Sequence, residues 1–276
     1  MTNIQQLSPY VQAQRFAEAL DHITHITATV DTVIGLTRHY DKELRESLLA
    51  LGTALVCKPL NKFWVKYQVT RPTIEMIELI GRATDKRSWF HIALDHYLDD
   101  EAWEEPLFIA LAELVQMNWK TCKKKWMICP KTGKESIYIE DTSGKRGVPR
   151  RNIHIYHKRP GVVRLELRYQ STASVRANGL DDWREAGLRA INPRKVARKD
   201  LRLRELDRNW VRRTVREVLA SKPYRYRSPI EKARLATRLA NRYGAYIGVT
   251  QRLPSKNINP ELFEKYLSMI PPKLQW

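Results

Sequence analysis

The residues best equipped for chemistry lie in one stretch, Arg150 to Tyr169, RRNIHIYHKRPGVVRLELRY. Side chains on a strand point to alternate faces, so a period of two sorts them. In the first half, Ile153 and Ile155 fall on one face, and Asn152, His154, Tyr156 and Lys158 on the other. In the second half, Val163, Leu165 and Leu167 oppose Arg164, Glu166 and Arg168. The short turn Arg159-Pro160-Gly161 predicts an antiparallel hairpin. Its simplest register sets Tyr156 opposite Arg164 and His154 opposite Glu166. One wall then carries a phenol, an imidazole, an ammonium, a carboxylate and two guanidiniums. These are the ingredients of nucleophilic phosphoryl transfer: a tyrosine, a metal-capable acid and imidazole, and cations that bind phosphate. The same wall also reads as a solvated sheet face with cross-strand ion pairs. Spacing alone does not separate the two readings.

The elements that must position this wall follow from the rest of the chain. Of 276 residues, 43% are hydrophobic, enough to bury one large core or two small ones. Residues 8–20 carry a partial helical stripe, and 21–30 (DHITHITATV) alternate like a strand. His22 and His25 face opposite ways there, so they do not make a metal pair. A helix is expected over 41–55, a strand over 62–70, and a helix from about Pro72 to Arg82. Ser88 to Asp95 (SWFHIALD) is the next strand, with Trp89, His91, Ala93 and Asp95 on one face. Asp95 reads either as a turn or cap residue at the strand end, or as a metal ligand with His91 two positions back. Strand, helix and strand in this order predict an α+β fold with a split, ferredoxin-like antiparallel sheet. Asp99, Asp100, Glu101, Glu104 and Glu105 suit the N-terminal turn of a helix that follows, as caps and solvated surface. A basic hairpin over 123–140 and a polar loop, DTSGKRGVP (141–149), lead into the central stretch; Lys145 and Arg146 in that loop could meet phosphate.

Charge is uneven. The formal net charge is +19, yet residues 1–118 hold 11 Lys+Arg against 16 Asp+Glu, leaving 38 against 14 in residues 119–276. A half carrying +24 repels itself unless it meets a polyanion, so nucleic acid is the expected partner. From Asn178 onward the pattern reads helical. Residues 194–220 hold ten cations beside an apolar stripe, among them Arg198, Arg202, Arg212, Arg213 and Arg216. KPYRYR (222–227) then interleaves aromatics with Arg225 and Arg227, which suits backbone contact with base stacking. No apolar run approaches the ~20 residues that span a bilayer. No secretory segment opens the chain, and Cys57, Cys122 and Cys129 are too few and odd for a disulfide framework. A cytoplasmic protein with no membrane partner is expected. The chain divides into an N-terminal strand and helix extension (1–60), an α+β catalytic core (61–178) and a basic helical DNA-binding region (179–276).

Three segments together resemble the rolling-circle replication initiators of plasmids and filamentous phages. They are KYQVTRPTIEMIELI (66–80) with WFHIALDHY (89–97), SIYIED (136–141) with RNIHIYHK (151–158), and VVRLELRYQSTASVRANGLDDW (162–183). The resemblance covers about residues 60–185. It implies a replication-initiator-like core that nicks one DNA strand at an origin. In that family a tyrosine attacks the phosphodiester, forms a 5′-phosphotyrosyl link and leaves a 3′-hydroxyl. Carried over, Tyr156 is the nucleophile, and Lys158 steadies the phenolate or the phosphorane. Asp95 and Glu166 would hold a divalent metal, Mg²⁺ or Mn²⁺, with His91 or His154 as third ligand or proton acceptor. Arg164 and Arg168 would grip the phosphate. Such an activity calls for origin DNA, double- and single-stranded, for a host helicase, and for a second copy of the chain. Departures are the loop 141–147 and His157, which stands where Asp is common. Tyr97, Tyr138 and Tyr169 are rival nucleophiles. The other readings are a non-catalytic DNA-binding replication or copy-control protein on the same fold, and an RNA-binding factor.

Overall fold

The computed structural model describes residues 13–52, 54–117, 122–128, 135–141, 151–206 and 255–276. Helix α1 (Ala13–Asp21) leads into a long strand β1 (Ile23–Thr37). Helix α2 (Lys42–Ala50), strands β2 (Ala54–Asn61) and β3 (Trp64–Thr70), helix α3 (Ile74–Ala83) and strand β4 (Lys86–Leu98) follow. Next come α4 (Glu104–Leu114), β5 (Val115–Met117), β6 (Cys122–Ile128), β7 (Glu135–Asp141), β8 (Arg151–Arg159) and β9 (Val162–Tyr169). Helices α5 (Thr172–Ala177), α6 (Glu185–Ala190) and α7 (Pro193–Asp200) precede β10 (Leu201–Leu206); β11 (Ser255–Asn257) and α8 (Pro260–Met269) complete the described chain. The fold is therefore α+β. One eight-stranded sheet runs β2-β3-β1-β4-β9-β8-β7-β6, antiparallel at every pairing, and a small sheet runs β11-β10-β5.

Alternation makes the large sheet two-faced. Phe90, Ile92 and Leu94 of β4, Leu165 and Leu167 of β9, Ile153 and Ile155 of β8, and Ile137 and Ile139 of β7 are all buried on one face. They pack in one core with Phe16 and Leu20 of α1 and Leu107, Phe108 and Leu111 of α4. Burying each such side chain contributes roughly 1.5–3 kcal/mol, which fixes the strands' facing. Helix α3 comes close to β1 at Gly35, where a Cβ would lie 2.5 Å from Ile80 Cγ2 and from Thr84 Cγ2. The opposite face carries the polar wall.

Several expected elements differ. The strand expected over 21–30 begins after α1 and continues to Thr37, through a bulge at Asp31. The helix expected over 41–55 stops at Ala50, and Ala54–Asn61 is an edge strand. Pro72 precedes the cap of α3, which is Thr73. Asp95 does not close its strand, since β4 runs on to Leu98. The basic helix expected over 194–220 ends at Asp200. LRLREL (201–206) alternates instead, burying Leu201 and Leu203 and pairing with Met117, Gln116 and Val115 of β5. The described part of 179–276 is thus not all-helical. The remaining basic segment with Arg212, Arg213, Arg216, Arg225 and Arg227, and the loop with Lys145 and Arg146, lie outside the described residues. Among the described residues no helix is long and apolar enough to cross a membrane.

Candidate active site

The β8–β9 hairpin adopts the expected register: Tyr156 pairs with Arg164, and His154 with Glu166. Gly161 closes it at φ +71°, in the left-handed region that suits glycine, behind a Pro160 that presets the turn. Glu104 at the start of α4 is not solvated surface. It is 9% exposed, accepts the Gly161 N–H, and lies 3.3 Å from His157 Nδ1. The carboxylate thereby pins the hairpin turn to the helix that backs the sheet. Strand β4 pairs on the other side of β9, setting His91 opposite Arg168 and Asp95 opposite Arg164. The wall thus spans three neighbouring strands.

Two charge clusters form on it. Around Asp95, Arg164 donates from Nε at 2.6 Å and from Nη2 at 2.9 Å, and Lys158 Nζ donates at 2.6 Å. Asp95 is 2% exposed. Burial alone would raise its pKa, but the Arg164 and Lys158 contacts outweigh that and hold the carboxyl below its ordinary range. Around Glu166, the Tyr156 hydroxyl donates to Oε1 at 2.6 Å and Arg168 Nε to Oε2 at 2.7 Å. Burial again pushes upward, and the nearby His154, Arg168 and Tyr156 hold Glu166 well below the usual carboxylate range. The Tyr156 phenol moves the other way: burial and the Glu166 charge raise it well above 10. His154 Nδ1 lies 2.7 Å from Arg168 Nη2 and 3.8 Å from Glu166 Oε2, and burial pushes the imidazole pKa down. The His154 ring stacks between Tyr138 at 4.0 Å and Tyr156 at 4.4 Å.

Asp31 joins the two clusters. It is the extra residue of the β1 bulge between the Val30–Ile92 and Thr32–His91 pairs. Its carbonyl accepts from the Arg71 N–H at 2.6 Å, with Arg71 itself at φ +52°. Its carboxylate accepts from Arg164 Nη1 at 2.6 Å. Asp31, His91 and Glu166 each offer a ligand atom, and these atoms lie within 4.8 Å of one another. His91 is 5% exposed, and its Nε2 is buried with no hydrogen-bond partner. Burial and the Arg168 charge push this imidazole down to about 3, so it stays neutral and its lone pair is available. A buried imidazole nitrogen without a partner beside two carboxylates fits a divalent cation, which would supply the partner His91 lacks.

Sequence reasoning did not find Asp31, because the bulge breaks the alternation at that residue. The residues expected to act together are distributed as follows. Tyr156 and Arg168 both hydrogen-bond to Glu166, His154 touches Arg168 and stacks on Tyr156, and His91 lies beside Glu166 in the three-residue group. Lys158 is bound to Asp95, and Arg164 is shared between Asp95 and Asp31. Among the tyrosines, Tyr169 is fully buried with its hydroxyl on Asp200, and Tyr97 stacks on His25. Arg198 pairs with Glu264, and Arg202 donates to the carbonyls of Arg198 and Leu201.

No protein-family model and no curated protein matches the chain. Among solved structures, a rolling circle replication initiator protein from Geobacillus stearothermophilus is similar at 11% identity with a TM-score of 0.39. The match covers 78% of this chain and 97% of that one.

Proposed function

We propose that the protein is a metal-dependent DNA strand transferase that nicks one strand through Tyr156 and so starts rolling-circle replication. The observation that carries this reading is the contact of the Tyr156 hydroxyl with Glu166, itself one of three residues grouped to hold a cation. Asp31, His91 and Glu166 would hold the metal. When bound, a divalent cation supplies Lewis-acid neutralisation of the phosphate oxygens.

The remaining roles belong to the chain's own residues. The wall holds three carboxylates, Asp31, Asp95 and Glu166, against three cations, Lys158, Arg164 and Arg168. It is balanced before DNA arrives, and a phosphodiester would add one negative charge, which a bound cation would offset. A bound cation would also favour the phenolate, which burial and the Glu166 charge disfavour in its absence. In the reaction the Tyr156 oxygen bonds to phosphorus while the bond from phosphorus to the leaving 3′-oxygen breaks. The phenolic proton is taken by Glu166 Oε1, on which the hydroxyl already rests, and is handed on to the departing 3′-oxygen, which leaves as the hydroxyl. Arg168 and Arg164 steady the charge that develops. The motif resemblance supports origin DNA as substrate, and the net charge of +24 in residues 119–276 supports binding of a polyanion.

The reading is tested by incubating the protein with a random-sequence pool of single-stranded DNA and Mn²⁺. A denaturant-stable protein–DNA adduct is expected, absent with chelator and absent in Tyr156→Phe. Binding without any adduct would reject it. That outcome would favour the second reading, a non-catalytic DNA-binding replication protein, for which the commitment of Lys158 to Asp95, and of Arg164 to Asp95 and Asp31, speaks.

A further inference from the structure

The polar wall does not end at His91. Thr32 pairs with both His91 and Thr70, so the same sheet face continues onto the β2–β3 edge. There Lys66 pairs with Lys58 on one side and with Leu36 on the other, and Leu36 pairs with Lys86. Three lysines therefore stand in one row across four strands. Like charges directly opposite on a sheet are destabilising, and the Lys66 ammonium donates to the neutral Gln68 Oε1 at 2.8 Å, which leaves its charge uncompensated. Partial burial and the Lys58 charge both push the Lys66 pKa down. No acidic residue occurs between Glu46 and Glu75, although residues 1–118 as a whole are net acidic. Among the described residues, Lys58, Lys62, Lys66 and Lys86 have no carboxylate partner.

Aromatic rings interleave with these cations. Trp64 lies two residues before Lys66 on the same face, and Lys86 Nζ sits 4.0 Å from its ring centre. Phe63 at the hairpin tip is 61% exposed, with Lys62 Nζ at 4.8 Å. Toward the site, Trp89 stacks on His91 at 5.7 Å. Cations that track a backbone beside rings on which bases stack are what sequence-tolerant single-strand binding requires. An acidic protein would satisfy the lysines but leave the exposed rings without flat partners.

We infer that the face formed by Lys58, Trp64, Lys66 and Lys86 is a track for single-stranded DNA, running from the β2–β3 edge toward Tyr156. The inference takes its DNA substrate from the nicking reading. It is tested in a Tyr156→Phe background, so that no cleavage intervenes. Binding of fluorescein-labelled dT15 is followed by anisotropy across a salt series, with and without Lys58→Ser, Lys66→Ser and Lys86→Ser together. The triple variant should bind about tenfold or more weakly, and its slope of log K against log salt should flatten by about two. Unchanged affinity and slope would overturn the track. Iododeoxyuridine-substituted dT15 should photo-cross-link within residues 63–66, and cross-links confined to other segments would also overturn it. So would loss of rU15 or of anionic-vesicle binding with dT15 binding intact. Adduct formation by the unmutated chain separates the two proposals. An adduct with unaltered dT15 binding in the lysine variant refutes only the track. Weakened dT15 binding with no adduct refutes only the nicking.

Discussion

Glu166 is where the proposed nucleophile meets the residues proposed to hold a cation. It accepts the Tyr156 hydroxyl, pairs with Arg168, and stands with Asp31 and His91. Tyr156→Phe removes one hydrogen bond and leaves the other partners in place. It should cost no more than about 1–2 kcal/mol in urea unfolding while the adduct disappears. Asp31→Asn should lower Mn²⁺ affinity at least tenfold, followed by electron paramagnetic resonance of free Mn²⁺, because the amide loses the charge that attracts the cation. At this scale much of the site was legible. The two-residue alternation of RNIHIYHK and VVRLELR sets Tyr156, His154, Glu166 and Arg168 on one face without any knowledge of the fold. Asp31 was not legible, because a bulge moves a residue out of the strand's period and leaves no local mark in the sequence. Asp95 could be placed on the face but not assigned its partners, which depend on how far Arg164 and Lys158 reach.

Among the elements, the hairpin is held by what backs it. Glu104 ties the Gly161 turn to α4, and Glu104→Gln should loosen that turn. Amide exchange at Gly161 should accelerate by about tenfold or more as a charged acceptor is replaced by a neutral one. Gly35→Ala tests the other support. The new methyl would enter the side chains of Ile80 and Thr84, so a loss of about 1–3 kcal/mol is expected. The strands of the central sheet were readable because their buried face repeats every second residue. The edge strand β2 was not, since only Leu55 and Cys57 of its side chains pack inward and neither is fully buried. LRLREL deceived for another reason: its cations continue a helical charge pattern, and only pairing with β5 and β11 decides for a strand.

For the whole molecule, α8 is docked on the sheet through a buried contact. His96 is fully buried on the apolar face, with Nδ1 3.0 Å from the Val163 carbonyl and Nε2 3.1 Å from the Tyr266 hydroxyl. The carbonyl can only accept, so Nδ1 carries the proton and Nε2 accepts from Tyr266. Burial pushes the His96 pKa down to about 4, and His91 is down at about 3. Both pKa values are depressed by folding, so the unfolded chain binds more protons between about pH 4 and 6.5. The stabilisation is complete above the unfolded value near 6.5 and is lost as pH falls through that window. His96 alone accounts for roughly 3 kcal/mol. Urea midpoints should fall from pH 7 to pH 4, and His96→Gln should flatten the dependence.

The central claim is that Tyr156, and no other tyrosine, takes the phosphoryl group. Tryptic peptides of the DNA adduct, trimmed by nuclease and sequenced by tandem mass spectrometry, bear on it most directly. The modified residue should be Tyr156. A nucleotide on Tyr97, Tyr138 or Tyr169, or a nicked strand with no modified tyrosine, would contradict the account.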